Sequence, residues 1–312
     1  MLSRTAGNLY WLSRNMERAE CLARILDATQ RLTALPQTDG GSNEWESAIA
    51  TAACVPAFQT AYGEANEKNV TEFLAFSPDN PASIRNCLET ARQNARAVRT
   101  ALTGETWDAI NGAWHQLRKF DQHANTREEF SRFLAFVKQA SLAFDGSAFR
   151  TMLRNDAYWF SRLGILIERA DATARILDVK YHVLLPEKER VGGPLDYFQW
   201  TSILRSVSAL TSYHWVYREN VKPWLVADLL ILNRQMPRSL ASCYENMNRY
   251  LDDLAQFYGR QGPSQRAARA MLSRLGNVTM AEIFQSGLHE FITSFIAENN
   301  RLGNEITEQY LV

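Results

Sequence analysis

Residues 16–27 read MERAECLARILD, and residues 167–178 read IERADATARILD. The two words belong to a longer gapless match. At an offset of 151, Leu9–Asp27 runs against Phe160–Asp178 and shares Leu12/Leu163, Glu17/Glu168, Arg18/Arg169, Ala19/Ala170 and the whole run from Ala23/Ala174 to Asp27/Asp178. The match resumes at an offset of 155 with Trp45/Trp200, Ser47/Ser202, Tyr62/Tyr217 and Glu64/Glu219. At 156 it pairs Pro81/Pro237, Ser83/Ser239, Cys87/Cys243 and Glu89/Glu245. Apolar neighbours follow, Phe73-Leu74 with Leu229-Leu230 and Phe76 with Leu232, and later segments align only faintly, as with Phe136 and Phe291. Offsets that creep upward are what loop insertions produce. The chain therefore reads as two copies, about 1–145 and 150–305, of a unit of roughly 150 residues, an ordinary domain size.

Within the first word, Leu9, Leu12, Met16, Ala19, Ala23 and Leu26 alternate steps of three and four, one stripe of a helix. That period continues through almost all 312 residues, and alternating strand-type runs are essentially absent. The pattern predicts an all-α multi-helix bundle of two tandem, pseudo-symmetric repeats. Helices are expected over 2–33, 44–65, 81–103, 104–119 and 127–145, then 147–184, 195–217, 221–232, 237–257, 264–275 and 279–302. Pro36, Gly40 and Gly41 close the first, and Pro81 is expected in the first turn of the third, behind an Asn80 cap. LLPEKERVGGPLDYF (184–198) is the clearest loop, and it lies inside the second copy. A join near 145–150 has no linker composition, so the copies are expected to pack as one body.

Acidic and basic residues balance at 34 each, so no global field recruits nucleic acid or an acidic membrane. The basic set is skewed, with 28 Arg against 6 Lys. Arg suits desolvated ion pairs and bidentate grip on carboxylate or phosphate, although a GC-rich genome produces the same skew. Cys21, Cys54, Cys87 and Cys243 are scattered without metal or disulfide spacing, as expected of buried thiols in a reducing cytosol. No apolar run reaches the ~18–20 residues of a membrane span, and MLSRTAGNLYWLSR lacks the apolar core of a secretory signal. A cytoplasmic protein without cofactor is the expectation. No Gly-rich phosphate loop, dinucleotide fingerprint or nucleophile elbow occurs, so nucleotide chemistry is expected to fall to a partner.

The Glu-Arg pairs carry the functional question. Consecutive helical residues point ~100° apart, so Glu17 and Arg18 must look to different neighbours. Glu168 and Arg169 follow Ile165-Leu166-Ile167 and precede Ala170, Ala172 and Ala174, the context of a buried helix. If a pseudo-two-fold axis relates the copies, the words face each other, Glu17 pairs with Arg169 and Glu168 with Arg18, and Arg24 and Arg175 extend the network. Such a network fixes register. The alternative reads Glu17, Glu20, Glu168 and Asp171 with their arginines as the floor of a cavity holding an anionic or peptide-like substrate. The acidic pairs have helical spacing, but no His follows them as in di-iron bundles, so no metal site is expected.

Arg85, Arg92, Arg96 and Arg99 form a second candidate, one helix face that either meets an acidic partner or phosphorylated ligand or is merely solvated beside Glu89. The second copy has Ala241, Asn248, Asp252 and Ala255 there. The five histidines stand singly; His214, in SYHWVY, reads as part of a packed aromatic face. Trp107 and Trp114 read as core filling, and the recurrence of Trp45 and Trp200 favours packing for both.

MLSRTAGNLYWLSRNMERAECLARILD, FSRLGILIERADATARILD (160–178) and MPRSLASCYENM (236–247) resemble the bacterial alpha-E domain family, all-helical proteins of unknown function. The resemblance spans essentially the whole chain and carries the Glu-Arg motif onto Glu17-Arg18 and Glu168-Arg169. It implies a protein partner, because family members are typically encoded beside or fused to circularly permuted ATP-grasp proteins, often with a transglutaminase-like protein. ATP-grasp enzymes join a carboxylate to an amine. The resemblance therefore implies an accessory role in peptide formation or modification.

Overall fold

The computed structural model describes residues 1–33, 43–120, 126–182 and 194–312, with side chains described outside 179–182 and 194–196. The described residues form α1 (Ser3–Leu32), α2 (Glu44–Thr51), α3 (Val55–Ala61), α4 (Glu67–Thr71), α5 (Ile84–Ala97), α6 (Gly104–Leu117), α7 (Arg127–Thr151) and α8 (Asp156–His182). They continue with α9 (Pro194–Ser206), α10 (Leu210–Tyr217), α11 (Pro223–Ile231), α12 (Leu240–Tyr258), α13 (Pro263–Asn277), α14 (Met280–Ser286) and α15 (Leu288–Ile306). No strand occurs among them. The fold is all-α.

Among the described residues, the two helices that carry the repeated words, α1 and α8, make the most extensive helix–helix contact. Their apolar stripes explain why: Leu9, Leu12, Met16, Ala19, Ala23 and Leu26 are buried, as are Leu163, Ile167, Ala170, Ala174 and Leu177. α1 is flanked by α5 and α7, and α8 by α12 and α15; α6 packs on α5 and α7, and α13 on α12 and α15. The short helices α2 and α9 cross over, α2 lying against α8 and α9 against α1. Trp45 on α2 and Trp200 on α9 are both buried, in packing roles.

Gly164 sets the closeness of the central pair. A Cβ there would lie 2.3 Å from the Tyr10 carbonyl oxygen and 3.1 Å from Ser13 Cβ. Beside it the Ser13 and Ser161 hydroxyls share a 2.7 Å hydrogen bond. A backbone oxygen cannot turn aside as a side chain can, so Gly164→Ala is expected to push α1 and α8 apart and cost about 3 kcal/mol. The check is the urea midpoint at unchanged slope; a loss below about 1 kcal/mol would show that the crossing is loose.

Several expected boundaries are corrected. The helices expected over 44–65 and 195–217 are each broken by a non-glycine residue in the left-handed region, Ala53 (φ 55°) and Ser208 (φ 56°), 155 residues apart. Both breaks close alike: Ala53 N–H and Cys54 N–H bond the Ala50 and Ile49 carbonyls at 3.0 and 3.2 Å, and Ser208 N–H and Ala209 N–H bond those of Arg205 and Leu204 at 3.0 and 2.7 Å. Gly is the usual residue for such a closure, so Ala and Ser gave no sign of it. Pro81 lies in a turn where Asn80 Oδ1 accepts Ala82 N–H, and Ser83 is the cap of α5, accepting Asn86 N–H at 3.3 Å. Ser239 caps α12 in the same manner at 3.0 Å. Residues 67–76, outside the expected helices, form α4 and a π-helical turn. The expected helix 279–302 is split by Gly287 (φ 96°). The supposed join at 145–150 lies inside α7, and the chain turns over 152–155 instead. Residues 194–198 of the expected loop begin α9, while 183–193, with Pro36, Gly40 and Gly41, lie outside the described residues.

Candidate functional site

Glu17 reaches across the α1–α8 seam to Arg169, whose Nε and Nη2 donate to its Oε1 and Oε2 at 2.9 and 2.8 Å. Glu168 receives Arg18 in the same frame, Nε to Oε1 at 2.6 Å and Nη2 to Oε2 at 3.0 Å. Two bidentate pairs therefore run in opposite directions over one seam. One turn along each helix, Arg24 donates to Glu20 at 2.8 Å and Arg175 to Asp171 at 2.6 Å. The seam thus gathers all eight residues singled out in the repeated words.

Sequence reasoning missed Arg238 and the reach of Arg14 across the seam. Arg238, just before α12, bridges Glu17 Oε1 and Glu20 Oε1 through Nη1 and Nη2 at 2.8 and 2.7 Å. A signal existed, because the match of Pro81-Ala82-Ser83 with Pro237-Arg238-Ser239 sets Ala82 opposite Arg238. Arg14 donates to Glu168 Oε2 at 2.9 Å; helical spacing ties it to Glu17 and could not reveal the reach to α8. Ser141 on α7 donates to Glu20 at 2.8 Å, and Arg24 donates to Ser208 Oγ at 2.7 Å. Asp145 accepts from Arg162 and stands 3.7 Å from Arg169.

The two halves differ in cover. The Glu20 side chain is 2% exposed and Asp171 19%; Arg24 is 10% exposed and Arg175 25%; Arg169 is 10% exposed and Arg18 30%. The Glu17 half is sealed; in the other half Glu168 is itself only 9% exposed, and solvent reaches Asp171, Arg175 and Arg18.

Burial would raise the Glu17 carboxyl, but Arg169 and Arg238 outweigh it and hold it at about 2. Burial likewise opposes ionisation of Glu168, and Arg18 with Arg14 overcome it, leaving that carboxyl low. Asp171 goes the other way: burial raises it more than Arg175 lowers it. Because the folded value of Glu17 lies below its ordinary 4.5, its stabilisation is complete above about pH 4.5 and is lost as pH falls through about 2. Acid titration followed by circular dichroism is expected to show helix loss in that window, with a shallower dependence in Glu17→Gln. Parallel wild-type and variant curves would contradict this. Burial also pushes the Cys87 and Cys243 thiols up to about 12, which leaves them poor nucleophiles.

The arginine stripe is placed differently, and its last member lies beyond α5, in the 3₁₀ turn Arg99–Ala101. Arg92 lies over the Trp114 ring at 3.8 Å and donates to Asn111 at 3.0 Å, and Arg99 lies over Trp107 at 5.1 Å. These arginines clamp α6 to α5, and Trp107 and Trp114 are half-buried partners of the clamp rather than deep core. Arg96 is exposed and Arg85 half-buried. His214 corrects another expectation: it, Trp215 and Val216 are exposed, and within SYHWVY only Tyr213 is fully buried. The described residues contain no group of three or more His, Cys, Asp or Glu placed to hold a metal ion. No described helix is long and apolar enough to cross a membrane.

Fold and site together define an all-helical protein seamed by two facing Glu-Arg dipeptides. The chain belongs to the Alpha-E family, described as a predicted alpha-helical domain with a conserved ER motif, which matches residues 1–311. It is 23% identical over 315 residues to an uncharacterised protein of Mycobacterium bovis, covering 94% of this chain and 35% of that protein. An uncharacterised Mycobacterium tuberculosis protein is 22% identical with the same coverage. The chain thus spans about a third of the length of the curated relatives it matches. No solved structure matches it.

Proposed function

We propose that this chain is a duplicated helical unit whose Glu-Arg seam is a clasp between its two halves, and that it serves as an accessory protein to an ATP-grasp-type ligase in peptide formation or modification. The observation that carries the clasp is the reciprocal pairing of Glu17 with Arg169 and Glu168 with Arg18. Duplication is supported further by the matched breaks at Ala53 and Ser208, the matched caps at Ser83 and Ser239, and the repeated packing of α1 and α8 with their flanking helices. Each carboxylate of the seam already has an arginine of its own chain, as a scaffold requires. The ligase enters through the family resemblance, and a unit that forms about a third of its relatives suits work beside another protein. The transglutaminase-like protein is a second candidate partner on the same ground. Co-purification with a circularly permuted ATP-grasp protein, followed by ATP turnover on amino-acid mixtures, tests the role. The expected result is a stable complex whose turnover changes when this chain is removed; no complex and no change in turnover would contradict it.

A second reading is favoured by the unequal cover of the halves. A clasp alone has no need of a solvent-facing side, so the open half suits a ligand-binding subunit with a Glu/Arg-lined floor.

A further inference from the structure

The sealed half is closed by two side chains that the open half lacks. Arg238 spans Glu17 Oε1 and Glu20 Oε1, and Ser208 Oγ accepts from Arg24. At the matching positions the first copy has Ala82, offset 156, and Ala53, offset 155. The register is anchored structurally, by the Ser83 and Ser239 caps that follow and by the left-handed backbone at Ala53 and Ser208. In that register both plugs correspond to alanine in the half whose Asp171, Arg175 and Arg18 meet solvent.

The charges left behind have a definite pattern. Glu168 Oε1 receives Arg18 Nε, as Glu17 Oε1 receives Arg169 Nε, but among the described residues it has no second donor in the place of Arg238. Arg14 approaches the other oxygen, Oε2. Asp171 is bonded by Arg175, with no counterpart of Arg238 or of Ser141 among the described residues. Among the described residues, Arg18 and Arg175 meet no acceptor besides Glu168 and Asp171. Glu168 and Asp171 lie one turn apart on α8, so the arginines they hold, Arg18 and Arg175, stand on the same side of the seam.

We propose that this half binds the two charged ends of a free α-amino acid. The ammonium lies between Glu168 and Asp171, where Arg238 lies in the sealed half, and the carboxylate lies on Arg18 and Arg175, where Ser208 closes the other side. Three guanidiniums face two carboxylates here, so the charge balance excludes a lone cation and admits an anion or a zwitterion; the place left by Arg238 beside the two carboxylates takes an ammonium and selects the zwitterion. This rests on the duplication and on the ligand-binding reading.

Calorimetric titration of the full chain with glycine, L-alanine and L-glutamate, each beside its N-acetyl and amide forms, tests the proposal. At least one free amino acid is expected to saturate, with both blocked forms at least tenfold weaker. Ala82→Arg and, independently, Asp171→Asn are expected to weaken binding at least tenfold. Saturation by none of the three overturns the proposal, as does equal binding of a blocked form or unchanged affinity in Ala82→Arg. A crystal structure of Ala82→Arg separates the two layers. If the introduced guanidinium bridges Glu168 and Asp171 while wild type binds no amino acid, the duplication stands and the ligand falls. If it turns to solvent, the equivalence of the halves falls.

Discussion

Replacing Glu17 with methionine is expected to cost about 3–5 kcal/mol, because it strips the carboxylate from two largely buried guanidiniums, those of Arg169 and Arg238. The same change at Glu168 is expected to cost about 1–3 kcal/mol. Its partners Arg14 and Arg18 are 18% and 30% exposed and can turn toward water, whereas Arg169 and Arg238 are 10% and 13% exposed. Urea denaturation of the two variants provides the comparison. An equal cost for both would mean that the difference in cover carries no energy.

Charge reversal is expected to act more strongly. Arg169→Glu sets a second carboxylate against Glu17 in a sealed site, with Asp145 nearby, and is expected to leave the chain unfolded at neutral pH. Adding Glu17→Arg restores the pair in reverse but places the new guanidinium beside Arg238, which bonded the lost Glu17 oxygen at 2.8 Å. The double variant is therefore expected to regain folding only in part. Further recovery is expected when Arg238→Met removes the repulsion. Thermal melts of the single, double and triple variants rank them; a double variant as stable as wild type would show that Arg238 contributes nothing.

The long elements and the reciprocal pairing were legible in the repeated words, because a buried helix leaves its mark in apolar spacing and a duplicated word implies a facing partner. The breaks at Ala53 and Ser208 were not legible, since the left-handed backbone there is imposed by packing on residues that carry no propensity for it. Arg238 was hidden for another reason. It lies about 220 residues from Glu17 in sequence, and only its mismatch with Ala82 marks it. The stripe of Arg85, Arg92, Arg96 and Arg99 looked like a single surface, yet two of its members are drawn onto the tryptophans of α6. Periodicity reports which residues share a face and is silent on what covers it.

Double-mutant cycles across the four residues of the two words measure the seam itself. Glu17 with Arg169 and Glu168 with Arg18 are each expected to give coupling energies of about 2 kcal/mol or more. The chain neighbours Glu17 with Arg18, and Glu168 with Arg169, are expected to give values near zero. Coupling confined to neighbours within one word, with none between α1 and α8, would contradict the reciprocal clasp.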